Sequence, residues 1–233
     1  MTILLVPGFM LDGDLWRDLR PELEQFGSIV DVDTTRDASI EDMAARAIAS
    51  VDGPLLPIGF SMGGYVAREI ARRAADRVRG LVLIATSARG DSPGQAQRKA
   101  FHAKQLADSR FGGLKRSAIA NSLHSTRAED EELIDRIQAM SRRLGGEVFR
   151  GQSLLPRHGD LERLGDIRCP TLILAGDGDQ VRSLAEAREL HDNIQGSELS
   201  VIEGAGHMLP MEAPSRVSRI IASWVANLRA ASA

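Results

Sequence analysis

Two rhythms of apolar and polar positions run along this chain. Continuous apolar runs at residues 3–6, 55–60 and 80–85 stand beside stripes of helical spacing such as Met62, Val66 and Ile70. Short runs closed by glycine, proline or polar turns are the mark of strands buried on both faces, and the stripes are helices with one face in a core. Residues 29–32 predict a further short strand. Asp12 or Asp14 is placed to cap a helix in which Leu15, Leu19 and Leu23 share a face with Trp16 beside them. Ser39, with Asp42 three residues on, marks the start of another, carrying Met43, Ala44, Ala47, Ile48 and Val51. Strand and helix alternating in this way predict right-handed crossovers and a parallel sheet.

The rhythm changes at about residue 89. From there to residue 165 the chain is rich in Arg, Asp, Glu and Gln, with no strand-like run. Helical stripes such as Leu133, Ile137, Met140 and Leu144 are divided by Gly112-Gly113 and Gly145-Gly146. This predicts a small helical cap, residues 89–165, inserted into a core of residues 1–88 and 166–233. After Cys169-Pro170 the core pattern returns, with a strand at 171–175, a helix holding Leu184, Ala187 and Leu190, and a strand at 199–202. A closing helix from Pro214 sets Val217, Ile220, Ile221, Trp224 and Val225 on one face. The expected class is α/β: a mostly parallel six-stranded sheet with helices on both faces.

Composition narrows the function. At 233 residues the chain suits one large domain with an insertion, and a net charge of -3 gives no basic field for nucleic acid. The single cysteine, Cys169, has no internal disulfide partner and reads as packing at a strand entrance. The N-terminal apolar run lacks a basic flank and is too short for a signal peptide or a membrane span. A cytoplasmic protein without membrane association is expected; the oligomeric state is left open.

The chemistry concentrates in residues 55–64, where an apolar run ends in Gly59-Phe60-Ser61-Met62-Gly63-Gly64 and a helical stripe follows at once. G-x-S-x-G between strand and helix is the nucleophile elbow, a turn that holds serine at positive φ and needs glycine two residues to either side. The Met62 N–H at the helix start and the Phe9 N–H after the first strand are the expected oxyanion donors. A serine hydroxyl is a weak nucleophile and needs a base, itself oriented by a carboxylate. His207, in a turn between Gly206 and Met208, supplies the base. Asp179 is preferred over Asp177 as the acid, being past the turn that follows its strand, with Asp177 a turn former. His102, His124 and His158 lack metal-ligand spacing and read as surface or capping residues. With no phosphate-binding glycine loop and no metal-ligand cluster, neither cofactor nor metal is expected. Met10, Leu11, Phe60, Met62 and Met208 flank the reaction centre and suggest an apolar acyl group, and Trp16 is either a further substrate contact or a core-edge residue.

Gly59 to Gly64, Gly176-Asp177-Gly178-Asp179 and Gly204-Ala205-Gly206-His207 resemble the three signature stretches of the serine α/β-hydrolase superfamily over nearly the whole chain. The similarity is greatest to compact esterases, including pimeloyl-carrier-protein methyl ester esterases. It implies a catalytic triad of Ser61, Asp179 and His207, with Phe9 completing the oxyanion hole. Arg157 and Asp160 resemble the family's return from cap to core and are taken as structural. Three departures stand out: Pro7 where many relatives have histidine, no antiparallel strand pair before the first loop, and Asp33-Thr34-Thr35-Arg36 where a glycine-rich turn is common. The resulting expectation is a hydrolase of small-molecule carboxylic esters acting through an acyl-enzyme on Ser61. Thioester cleavage, a ligand receptor without turnover, and perhydrolysis or C–C cleavage by the same triad remain open alternatives.

Overall fold

The computed structural model describes residues 1–106 and 111–231. Its strands are β1 (Thr2–Val6), β2 (Ser28–Asp31), β3 (Leu55–Phe60), β4 (Leu81–Ile84), β5 (Thr171–Gly176) and β6 (Ser197–Ile202). They form one six-stranded sheet in the order β2-β1-β3-β4-β5-β6, and each neighbouring pair is parallel. The carboxyl ends of all strands therefore lie along one edge, where an open parallel sheet collects its ligands.

Successive side chains of a strand face opposite ways, so each strand feeds two cores. Ile3, Leu5, Leu56, Ile58, Val82 and Leu172 pack on one face with the closing helix α9 (Pro214–Ala231), through Val217, Ile221 and Trp224. Leu4, Val6, Leu55, Leu83 and Ile173 pack on the other with α2 (Ile40–Ala49), α3 (Met62–Arg73) and α7 (Leu184–Asn193). Ser39 caps α2 by accepting from the Asp42 N–H, as the sequence predicts. β6 starts two residues before the predicted position.

The helix expected from Leu15 to Leu23 is broken. A 3-10 turn at Gly13–Trp16, a single-turn helix α1 (Arg20–Leu23) and another 3-10 turn at Glu24–Phe26 replace it. Pro21 has no N–H to continue a helical ladder back toward Arg17. Asp12 caps the first turn, and Leu15, Trp16, Leu19 and Leu23 are still wholly buried.

Between β4 and β5 lie α4 (Pro93–Leu106), α5 (Arg116–Ala120) and α6 (Glu131–Leu154). Gly145, at φ 78°, interrupts α6, and Gly113, at φ 93°, lies in the stretch before α5. The segment returns to the core through Asp160, whose carboxylate receives Arg68 Nε and Nη2 at 2.9 and 2.8 Å and Arg72 Nη1 at 2.9 Å. Burial opposes ionisation of Asp160, yet the two guanidinium groups hold its carboxyl below the ordinary range. A final one-turn helix, α8 (Leu209–Glu212), precedes α9. Among the described residues no helix is long and apolar enough to cross a membrane.

Candidate active site

β3 ends at Phe60 and α3 begins at Met62, so a single residue, Ser61, makes the whole turn at φ 51° and ψ -111°. A β-carbon on Gly63 would lie 2.1 Å from the Val6 carbonyl oxygen, and one on Gly59 would lie 2.5 Å from that of Gly63. Both positions exclude any side chain. The strained turn is pinned from β4: the Ser61 N–H donates to the Ile84 carbonyl at 2.9 Å, and the Thr86 hydroxyl donates to the Ser61 carbonyl at 2.7 Å.

The acid and the histidine arrive from the strands to one side. His207 Nδ1 lies 2.8 Å from Asp179 Oδ2, and His207 Nε2 lies 3.0 Å from Ser61 Oγ. A carboxylate only accepts, so the ring proton resides on Nδ1 and leaves Nε2 as an acceptor for the serine hydroxyl. Asp179 is fixed through its other oxygen, which receives the N–H groups of Val181 and Arg182 at 2.7 and 2.8 Å. Asp177 points to the neighbouring loop, accepting from the Gly204 N–H at 2.8 Å, and so ties the acid loop to the histidine loop. The two aspartates after β5 thus make different contacts.

Among the described residues neither the Phe9 N–H nor the Met62 N–H donates to another group. Phe9 follows β1 and its ring packs edge-on against Phe149 of α6 at 5.4 Å. The next residue, Met10, has φ 56°, and its N–H donates at 2.8 Å to Oε1 of buried Gln152. Gln152 in turn donates to the Thr34 carbonyl at 3.1 Å, so α6 holds the turn that carries Phe9.

A cavity of about 330 Å³ opens onto Ser61 and His207. Leu11, Phe60 and Met208 line it. Met10 and Trp16 do not: both are completely buried in the core. Positive φ at Met10 turns its side chain inward, and Trp16 packs among Leu15, Leu19 and Leu23. Much of the wall comes from α4, α5, α6 and the stretch before α5, including Leu114, Ile119, Ile137 and Phe149. Two residues read from sequence as peripheral also face it. His102 lines the cavity, as does Arg157, which the sequence assigned a structural role beside Asp160. His124 instead caps a 3-10 turn by accepting from the Thr126 N–H, and His158 is exposed.

The sequence profile of the alpha/beta hydrolase family matches residues 3–220. The chain belongs to the alpha/beta hydrolase family. Among solved structures, a thermophilic esterase from Thermogutta terrifontis, determined with malate bound, is 30% identical with a TM-score of 0.88, covering 98% of this chain and 90% of that one. A pimeloyl-[acyl-carrier protein] methyl ester esterase of Neisseria meningitidis is 29% identical over 88% of this chain and 86% of its own length. A monoacylglycerol lipase of Mus musculus is 25% identical over 97% of this chain and 76% of its own. The resemblance drawn from the three motifs is therefore borne out at the level of family and fold.

Within this hydrolase fold, sequence reasoning missed the group that positions the histidine loop. Glu212 of α8 is buried, and its Oε1 accepts from the Gly206 and Met208 N–H groups at 3.1 and 3.0 Å, one on each side of His207. Its Oε2 accepts from the His124 N–H at 2.7 Å. The His207 N–H itself donates to the Ser122 carbonyl at 2.8 Å, so the stretch after α5 also bears on the histidine. An acidic residue in a short apolar turn just past His207 was the available signal. Its partners are backbone groups, which leave no trace in the sequence.

Proposed function

We propose that this protein is a serine hydrolase of carboxylic esters that works through an acyl-enzyme on Ser61. The observation that carries the reading is the continuous chain from Asp179 Oδ2 to His207 Nδ1, at 2.8 Å, and from His207 Nε2 to Ser61 Oγ, at 3.0 Å. Ser61 Oγ attacks the ester carbonyl carbon as its proton passes to His207 Nε2. The carbonyl oxygen, now an oxyanion, is received by the Phe9 and Met62 N–H groups, and Asp179 stabilises the imidazolium. The carbon–oxygen bond to the leaving group breaks, and His207 returns the proton to the departing alcohol. Water then adds to the acyl-enzyme with His207 again as base, and the carboxylic acid leaves with Ser61 restored.

Residues 89–165 serve as a cap in this reading, walling the cavity and excluding water from it. An ester substrate is supported by relatives that carry the names of an esterase and a lipase. A receptor without turnover has no observation in its favour, because the hydrogen bonds that activate the serine are already made. The lone, half-buried Cys169, whose thiol is pushed up to about 11 by burial, is compatible with a reducing cytoplasmic setting.

Labelling with a fluorophosphonate probe and mapping the adduct tests the assignment. Label confined to Ser61, lost in Ser61→Ala together with hydrolysis of short p-nitrophenyl esters, is the expected result. A folded chain that takes no label at Ser61 overturns it.

A further inference from the structure

The cavity wall is mainly apolar, with the hydroxyls of Ser61, Ser122 and Ser153, the His207 ring and a set of basic side chains. Lys99 and His102 of α4, Arg157 and Arg182 all line it, and among the described residues no carboxylate side chain does. Two of the permanent charges have acidic partners behind the wall. Lys99 Nζ lies 2.5 Å from both oxygens of Asp91, and Arg182 Nη1 lies 3.3 Å from Glu186 Oε1. Arg157 has none: among the described residues its side chain joins no ion pair and donates no hydrogen bond, and its Nε is buried without a partner. What it does face is the Phe9 ring, 5.8 Å from the guanidinium carbon.

A charge in that position is held at a standing disadvantage. Burial pushes the Arg157 guanidinium below its ordinary range; the nearby Asp91 charge opposes this, by more than the repulsion that Arg182 adds. Burial lowers Lys99 in the same way, with Arg157 the next contributor. Arg157 is half-buried, and taking its Nε out of water without giving it an acceptor is unfavourable, so a fold that needed only shape here would be better served by an apolar side chain. The missing acceptor is an anion that enters with the ligand.

Resting on the ester-hydrolase reading above, we infer that the cavity is built for an ester bearing a carboxylate, such as the half ester of a short dicarboxylic acid, with that carboxylate seated on Arg157 between Lys99 and Arg182. The guanidinium fork matches the two oxygens of a carboxylate. Charge count favours a single negative charge over a phosphate dianion, because Lys99 and Arg182 are already paired and only Arg157 is unmatched. The contact between Arg157 and Phe9 puts the anion site beside the residue whose N–H receives the oxyanion. Leu114, Ile119 and Ile137 then border the methylene chain between the two ends.

The test compares the monomethyl and dimethyl esters of succinic, glutaric and adipic acids at mildly alkaline pH, with released methanol as the readout. The half ester of best length should exceed its own diester in kcat/KM by about tenfold or more, the value of one charge-assisted contact. Arg157→Met should bring that ratio close to one, and Arg157→Lys should restore part of it. A ratio at or below one for every acid in the unaltered chain, or a ratio that Arg157→Met leaves in place, overturns the inference. The first of these outcomes needs no variant to fold. Calorimetric titration of the Ser61→Ala chain with the same half esters separates the two readings. Binding that depends on Arg157 without hydrolysis of any ester removes the hydrolase and keeps the anion site. Hydrolysis of diesters with no preference for, and no binding of, half esters removes the anion site and keeps the hydrolase.

Discussion

The Glu212 carboxylate grips the backbone on both sides of His207. One oxygen takes the Gly206 and Met208 N–H groups, and the other takes the N–H of His124 from the segment between α5 and α6. The imidazole is thus oriented twice over, its ring by Asp179 and its main chain by Glu212, and both carboxylates are buried. A negative charge spent on backbone groups makes sense where an ångström of drift would lengthen the 3.0 Å contact with Ser61.

Glu212→Ala should therefore act on kcat more than on KM. Loss of the shared acceptor frees the His207 loop and is expected to lower kcat by about 100-fold, the scale of a one-ångström misplacement. Two buried N–H groups and the partly buried N–H of His124 lose their partner, so stability should drop by about 2 to 4 kcal/mol in chemical denaturation. Glu212→Gln keeps one acceptor oxygen and should recover much of kcat. Equal loss in Gln and Ala variants, or a change confined to KM, counts against a positioning role.

Asp179→Asn separates charge from shape. The amide oxygen can still receive the Val181 and Arg182 N–H groups, but its nitrogen donates where His207 Nδ1 needs an acceptor. The imidazole then takes the other tautomer, with its proton on Nε2, and no longer accepts from Ser61. We expect kcat to fall by about a thousandfold or more with the fold intact by circular dichroism. A variant within tenfold of the unaltered chain would reassign the acid.

The core was legible wherever one local stretch carries the whole signal. Residues 55–64 hold a buried strand, a glycine-spaced turn and the first turn of a helix together, and Ser61 adopts the positive φ that this pattern demands. The two aspartates after β5 make different contacts, and distance past the turn is the one feature of the sequence that distinguishes them. Side-chain direction in the first loop was not: Met10 adjoins Phe9, yet its backbone twists it into the core, while Leu11 one residue on reaches the cavity. Arg157 was misjudged for a related reason. It is close in sequence to Asp160, which pairs with Arg68, but the chain directs it to the opposite side, into the cavity. Groups such as Glu212 and Gln152, whose partners are mainly backbone groups, follow from topology and have no spacing rule to announce them.

Gly63→Ala should damage the fold before it damages chemistry. The added carbon would stand 2.1 Å from the Val6 carbonyl oxygen and 2.6 Å from that of Pro7, both backbone atoms in or next to the central sheet. Neither can swing aside as a flexible side chain would. Overpacking of this kind is expected to remove about 3 kcal/mol or more, seen as a lowered midpoint in urea. Gly53→Ala is the control for replacing a glycine: its added carbon meets nothing within 4 Å, so only its own backbone strain at φ 74° is felt. A Gly63→Ala midpoint no lower than the control's would show that the approach of β1 to α3 is looser than described.

The Arg68–Asp160–Arg72 cluster predicts how stability responds to acid. Arg68 is fully buried and Asp160 nearly so, and the pair joins α3, which begins at the elbow, to the chain returning toward β5. Although burial alone would raise it, the Asp160 carboxyl is held below its ordinary value of 3.8 by Arg68 and Arg72. A carboxyl whose folded value is depressed contributes its full stabilisation above 3.8, and that contribution is lost as pH falls through the folded value. Glu69 follows the same sign, with burial opposed by Arg73 and Arg72. Asp160→Asn removes the charge at every pH and leaves Arg68 buried without its counter-ion, so at neutral pH it should destabilise the chain by about 3 to 5 kcal/mol. The variant's loss should then shrink on acidification, because the unaltered chain gives up the same interaction as its carboxyl takes up a proton. Urea midpoints of both chains from pH 7 down to pH 3 measure this directly. Curves that run parallel over the whole range would mean that Asp160 holds α3 by shape and hydrogen bonding alone, with no contribution from its charge.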